Sequence, residues 1–199
     1  METKQAELEI TLIKKIMQDS RKIIAFNGVD YIIWGILVLL GLIGTYASII
    51  IREGIYIIWV WIILMGIGWI YSLSVHYIGS KKVRTWTLAG KLLGGIWLSC
   101  GIAMFIIGFV ATYAGAIKGW AIAPTISVIL GIAYFASGII YGHPWVKYLY
   151  LGWWGGAVVM FLYPGRHTLL IFAGMMILFQ IVPGILFYIK WKKELKEDD

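Results

Sequence analysis

The sequence predicts an all-α integral membrane protein: six transmembrane helices forming three hairpins, preceded by an N-terminal amphipathic interfacial helix, with both termini cytoplasmic. Three observations predict this class. Hydrophobic residues make up 61% of the chain and charged residues 14%, against roughly 45–50% and about 25% in ordinary globular domains. Several uncharged runs exceed the about 18 residues that mark a bilayer-spanning helix. Lysine and arginine crowd into alternate connections between those runs, as the positive-inside rule requires. The chain divides accordingly into an amphipathic segment (1–27), a six-helix bundle (28–190) and a charged cytoplasmic tail (191–199).

Met1 to Asn27 carries nine charges and no continuous apolar core, which excludes a cleavable signal peptide. Leu8, Leu12, Ile13, Ile16, Met17, Ile23 and Ile24 recur at three- and four-residue spacings with Lys14, Lys15, Asp19, Arg21 and Lys22 between them. Such a helix lies in the headgroup region or docks on a partner. Span one is expected from about Val29 to Ile51 and, after the turn Arg52-Glu53-Gly54, span two from Ile55 to about Ile78. Span three runs from Leu92 to Ile117 and span four from about Trp120 to Tyr141. Gly142-His143-Pro144 then breaks the chain, since proline lacks the donor a continuing helix needs. Span five runs from Trp145 to Tyr163, and the turn dipeptide Pro164-Gly165 leads into span six, Thr168 to Ile189.

Orientation follows from counting cationic side chains on the two sides. The N-terminal segment, the connection between spans two and three, Lys147 and the tail together hold fourteen lysines and arginines; Arg52, Lys118 and Arg166 are the three on the other side. The +7 net charge is thus explained by topology and by contact with anionic membrane lipids, not by nucleic acid. GLIGTYASII (41–50) and GFVATYAGAI (108–117) share Gly, Thr, Tyr, Ala and Ile at matching positions. A duplicated hairpin leaves such a match, and so does chance in a chain of this composition.

Span three is the expected centre of the bundle. It contains no charged residue, and Gly94, Gly101, Gly108 and Gly115 recur every seven positions. On a helix that period makes one stripe where a neighbouring backbone approaches closely. The stripe therefore reads as a helix-packing seam, with span one (Gly28, Gly35) and span four (Gly131, Gly138) as its partners.

Charge near hydrocarbon is costly unless paired or able to reach water. Asp30, Lys91 and Lys147, each near the cytoplasmic end of a span, are therefore either a helix cap with two snorkelling lysines or a polar cluster at the inner mouth. The 11 tryptophans are unusual. Many aromatic residues, Tyr31 among them, sit where an interfacial belt places them. Trp59, Trp61, Trp69, Trp97, Trp153 and Trp154 lie deeper, and an indole N–H in lipid needs a partner. They either pack helices together or line a ligand pocket; Trp69, Trp97, Trp153, Trp154 and the lone mid-span amide Gln180 are the candidate ligand-binding residues. Pro183-Gly184 interrupts span six just beyond that amide.

His76, His143 and His167 cannot share one site if the topology holds, and none has metal-ligand spacing, so no metal and no cofactor are expected. Cys100 is the only cysteine, which excludes an internal disulfide. Paired intramembrane carboxylates, a Ser-His-acid set, an HExxH helix and a phosphate-binding glycine loop are all missing, so no catalytic residues are assigned. The resulting expectation is a non-enzymatic accessory, regulatory or assembly component of a bacterial plasma-membrane complex, partnered by another membrane protein or by its own copies. The alternative is a small-molecule-binding or transport protein with a tryptophan-lined intramembrane pocket.

Overall fold

The computed structural model describes residues 28–52, 54–82, 88–141 and 144–197, and every regular element among them is helical. Helix α1 is Val29–Ile50, α2 Ile55–Lys82 and α3 Leu88–Phe105, which runs on into a π-helical segment, Ile106–Ala111. Helix α4 is Gly119–Tyr141 and α5 Pro144–Leu162; α6, His167–Met176, passes through a second π segment, Ile177–Ile181, into α7, Val182–Glu197. Five stretches are long and apolar enough to cross a membrane: Val29–Ile50, Tyr56–Val75, Ala89–Ala111, Gly119–Ile140 and His167–Lys193. The apolar part of α5, Tyr148–Leu162, is shorter. The expected amphipathic segment, 1–27, lies outside the described residues.

The helix boundaries follow the local chemistry. Pro144 opens α5, where its missing N–H would have had no intrahelical partner. Gly28 caps α1 with φ of 57°, a conformation that glycine adopts without steric cost. The second π segment has a cause in sequence. Pro183 cannot donate to the carbonyl of Phe179, and its ring crowds that group. Widening the preceding turn to π geometry relieves the crowding and leaves Gln180 inside the bundle, 4% exposed.

The centre of the molecule is α4, not the span expected. Half of α4's apolar window is buried, against 6% of α3's. On α4, Ala123, Leu130 and Ser137 are buried at seven-residue spacing, as are Pro124, Gly131 and Gly138. On α5, Val146, Trp153 and Met160 have the same spacing and no exposure at all. The two helices therefore face each other along a heptad seam, the arrangement that left-handed helix packing produces. α6 and α7 complete the core with Phe172, Met175, Met176 and Phe187.

The glycine seam on α3 is likewise corrected. A Cβ added at Gly94, Gly108 or Gly115 would meet nothing within 4 Å, and one at Gly101 would only touch the Trp69 ring at 3.6 Å. The stripe breaks for a physical reason. The π segment at Ile106–Ala111 changes the register around Gly108, and Gly115 lies in the turn beyond with φ of 68°. The expected partners are engaged elsewhere. Gly28 meets Gly184 backbone to backbone, Gly35 receives Ile181 and Gly131 receives the Trp154 ring. Of the two matching decapeptides, Thr45 is buried and accepts a hydrogen bond from Trp61, whereas Thr112 is exposed and donates to the Ile107 carbonyl.

An aromatic core as the candidate functional site

Four of the deep or interfacial tryptophans hold helices together, three of them through one recurrent device. The Trp34 ring of α1 lies on Gly68 of α2, where an added Cβ would fall 2.7 Å from the ring, and its Nε1 donates to Ser72 Oγ at 3.0 Å, four residues further on. Trp61 of α2 returns the contact: its ring covers Gly41 of α1, and its Nε1 donates to Thr45 Oγ1 at 2.9 Å, again four residues on. Thr45 in turn donates to the Gly41 carbonyl at 2.8 Å, so that hydroxyl is used as donor and acceptor. Trp154 of α5 lies on Gly131 of α4 and donates to the Val128 carbonyl at 3.1 Å. Trp97 of α3 donates to the fully buried Ser137 of α4 at 3.1 Å. The glycine lets the flat ring approach, and the oxygen one turn away satisfies an N–H that lipid cannot.

Trp69 packs edge-on against Trp34, with centroids 6.4 Å apart, and reaches across to Gly101 of α3. Trp59 is 58% exposed on the outer surface. Trp153 differs from all of these: it has no exposure, and its Nε1 has no hydrogen-bond partner among the described residues.

Around Trp153 the core is aromatic. Its ring stacks on Tyr134 of α4 at 5.9 Å and 25°, and meets Phe179 and Phe172 at 5.9 and 6.1 Å in edge-on contacts. Tyr134 has no exposure either, and its hydroxyl donates to Gln180 Oε1 in a short hydrogen bond. Trp97 and Tyr31 close the far side of the Tyr134 ring at 5.6 and 5.8 Å.

Of the five candidate ligand-binding residues, the structure thus gathers Trp97, Trp153 and Gln180 about one tyrosine. It places Trp69 at the α1–α2–α3 junction and Trp154 on the Phe135–Tyr150 side of α5. Tyr134 and Tyr31 were not singled out for this site by sequence. Tyr134 stands seven residues after the buried Ser127 on α4, and that spacing is the signal that points to it. Tyr31 resembles any interfacial tyrosine until its three ring neighbours, Trp97, Tyr134 and Phe187, are known.

Asp30, Lys91 and Lys147 are the candidates for either a helix cap with two snorkelling lysines or a polar cluster. Asp30 Oδ1 accepts from the Tyr71 hydroxyl of α2 at 2.8 Å, and Lys91 is exposed. The Lys147 side chain, like those of His76 and His143, lies outside the described set. His167 Nε2 donates to the Tyr163 carbonyl at 2.6 Å, closing the turn before α6. Among the described residues no group of three or more His, Cys, Asp or Glu side chains has the arrangement to hold a metal.

The chain matches no protein-family model, no curated protein and no solved structure. What the core can do must be read from its own groups. Around Tyr134 these are hydrogen-bonding groups and aromatic faces, a chemistry suited to recognition and to rigid packing.

Proposed function

We propose that the protein is a non-enzymatic, six-span component of a membrane assembly, an accessory, regulatory or assembly subunit packing against another membrane protein or against its own copies. In this reading α5 is the sixth span, about 28 Å long for its 19 residues, close to the hydrocarbon thickness. The membrane is the bacterial plasma membrane, and both termini face the cytoplasm, as the fourteen-to-three distribution of cationic residues indicates. Reporter fusions at the two ends and after Arg52, Lys118 and Arg166 test that topology; opposite signals for the two groups are expected, and equal signals would overturn it.

The observation that carries the reading is the open face of α3. Glycine inside a helix costs about 0.5–1 kcal/mol relative to alanine, and in lipid its return is the close approach of another helix. Among the described residues Gly94 and Gly108 receive no neighbour. The same helix buries only 6% of its apolar window, and a helix from outside the chain would give those glycines their use. The role found for Trp34, Trp61, Trp97 and Trp154 points the same way, because rings fixed between helices do not line a pocket.

Native mass spectrometry of the protein extracted with its surrounding lipid tests this reading. The account expects a mass above that of one 22.5 kDa chain, reduced to one chain by Gly108→Leu with the helical fold intact. A wild-type protein that runs as a single chain refutes it. A second reading, binding of a small molecule, is favoured by one observation only: the unsatisfied indole of Trp153, stacked on the tyrosine that bonds Gln180.

A further inference from the structure

We propose that Trp153, Tyr134 and Gln180 form an internal binding site for an uncharged, lipid-soluble molecule bearing a carbonyl oxygen. The site lies between α4, α5 and the π segment Ile177–Ile181, and it stands whether or not α3 packs against a partner. Trp153 Nε1 is a buried donor without an acceptor. Four other tryptophans of the chain have their N–H satisfied by an oxygen on a neighbouring helix, so the omission at the most deeply buried one is a property of this place.

Gln180 adds a second donor. Its Oε1 is taken by the Tyr134 hydroxyl, which turns the amide nitrogen away from that bond, and the nitrogen takes part in none of the described hydrogen bonds. The N–H groups of Trp153 and Gln180 are the capacity left unused, and such donors recognise an oxygen acceptor. A cation would leave the Trp153 donor unpaired, and an anion would be buried without a cationic side chain among these groups.

Between the two neutral acceptors, the surroundings favour a carbonyl compound over water. A buried water needs two to four polar partners, whereas a carbonyl needs one or two donors and brings an apolar body. That body meets the rings of Phe172 and Phe179, which flank Trp153 at 6.1 and 5.9 Å. The fully or nearly fully buried Met160, Met175 and Met176 belong to the same cluster. Methionine is the side chain best able to repack around a guest.

The full-length protein, in lipid nanodiscs and labelled with [15N-indole]tryptophan, is titrated with 2-undecanone and, separately, with n-undecane, which has the same apolar body and no acceptor. The Trp153 signal, assigned by its loss in Trp153→Phe, is expected to move saturably with the ketone and to stay still with the alkane. Gln180→Leu should weaken the ketone response about tenfold, the loss of roughly one hydrogen bond, and Trp154→Phe should leave it unchanged. If Trp153→Phe does not fold, the comparison on the wild-type protein still decides, because one indole signal must respond to ketone alone. Equal responses to the two probes, no responding indole, or a water exchange peak at Trp153 that the ketone fails to displace would each overturn the site.

Discussion

Gly66 and Gly68 lie two residues apart on α2 and differ in one respect that can be measured. An added Cβ at Gly66 would meet nothing within 4 Å, whereas one at Gly68 would stand 2.7, 2.9 and 3.1 Å from three carbons of the Trp34 ring. Gly→Ala at either position gains the same helix preference, about 1 kcal/mol, so that term cancels in the comparison. At Gly68 the ring must lift, which costs about 1–3 kcal/mol of overpacking strain. Lifting also breaks the Trp34–Ser72 hydrogen bond, worth about 0.6 kcal/mol for an average interhelical bond in a membrane. Gly68→Ala should therefore be less stable than Gly66→Ala by about 1.6–3.6 kcal/mol, the sum of those two effects. Reversible unfolding in mixed micelles, followed by circular dichroism, reads the difference. Ser72→Ala should cost little alone and almost nothing further in the Gly68→Ala background, since the bond is already gone there. Equal stability of the two alanine variants would refute the reasoning.

Further outcomes follow from the same contacts. Gly131→Ala puts a methyl group on the Trp154 indole and should destabilise by about 1–3 kcal/mol in the same unfolding assay, while Gly155→Ala, with open space around it, should not. Asp30→Asn keeps an oxygen to accept from Tyr71 and should change stability little; Asp30→Leu and Tyr71→Phe should each cost on the order of 1 kcal/mol and be non-additive together. A fully additive pair would show that the 2.8 Å contact carries no energy. Pro183→Ala restores a donor for the Phe179 carbonyl, so the π segment should relax towards α geometry and loosen Tyr134 from Gln180. Slower amide exchange at residues 177–181 in the variant, as the completed ladder of backbone bonds protects them, checks it, and an unchanged pattern contradicts it.

The helices were legible in the sequence because composition decides them. Six apolar runs bounded by Arg52, Lys81, Lys118, Pro144 and Pro164 place α1 to α7, although α7 continues past the expected end at Ile189 to Glu197, through the charged tail. The packing order was not, and the reason is chemical. Glycines announce a seam only when all its members are glycine, as on α3. The seam actually built on α4 mixes Ala123, Pro124, Leu130, Gly131, Ser137 and Gly138, which no single-residue pattern reveals. The seven-residue logic was sound but was read from the wrong helix.

The tryptophans were ambiguous for a related reason. Trp34 lies near the start of α1, where a belt would place it, and Trp61 lies deeper, yet the two make the same contact in opposite directions. The signature, Gly-x-x-x-Ser/Thr facing an indole, is present at Gly68–Ser72 and Gly41–Thr45. It acquires meaning only once the partner helix is known. At the candidate site, Gln180 stood out because a lone amide in lipid is rare, whereas the seven-residue spacing of Tyr134 from Ser127 gains meaning only once α4 is known to be the buried helix.

The central claim is that the indole N–H groups of Trp34, Trp61, Trp97 and Trp154 fasten these helices to specific oxygens on their neighbours and that the fully buried Trp153 is left out. The indole region of a 15N-tryptophan spectrum, recorded for the wild-type protein and for Ser72→Ala, Thr45→Val and Ser137→Ala, tests it most directly. Each substitution should shift one indole signal, that of Trp34, Trp61 and Trp97 respectively, and leave Trp153 where it was. Signals that ignore the loss of their acceptors, or a Trp153 signal that follows one of them, would contradict the account.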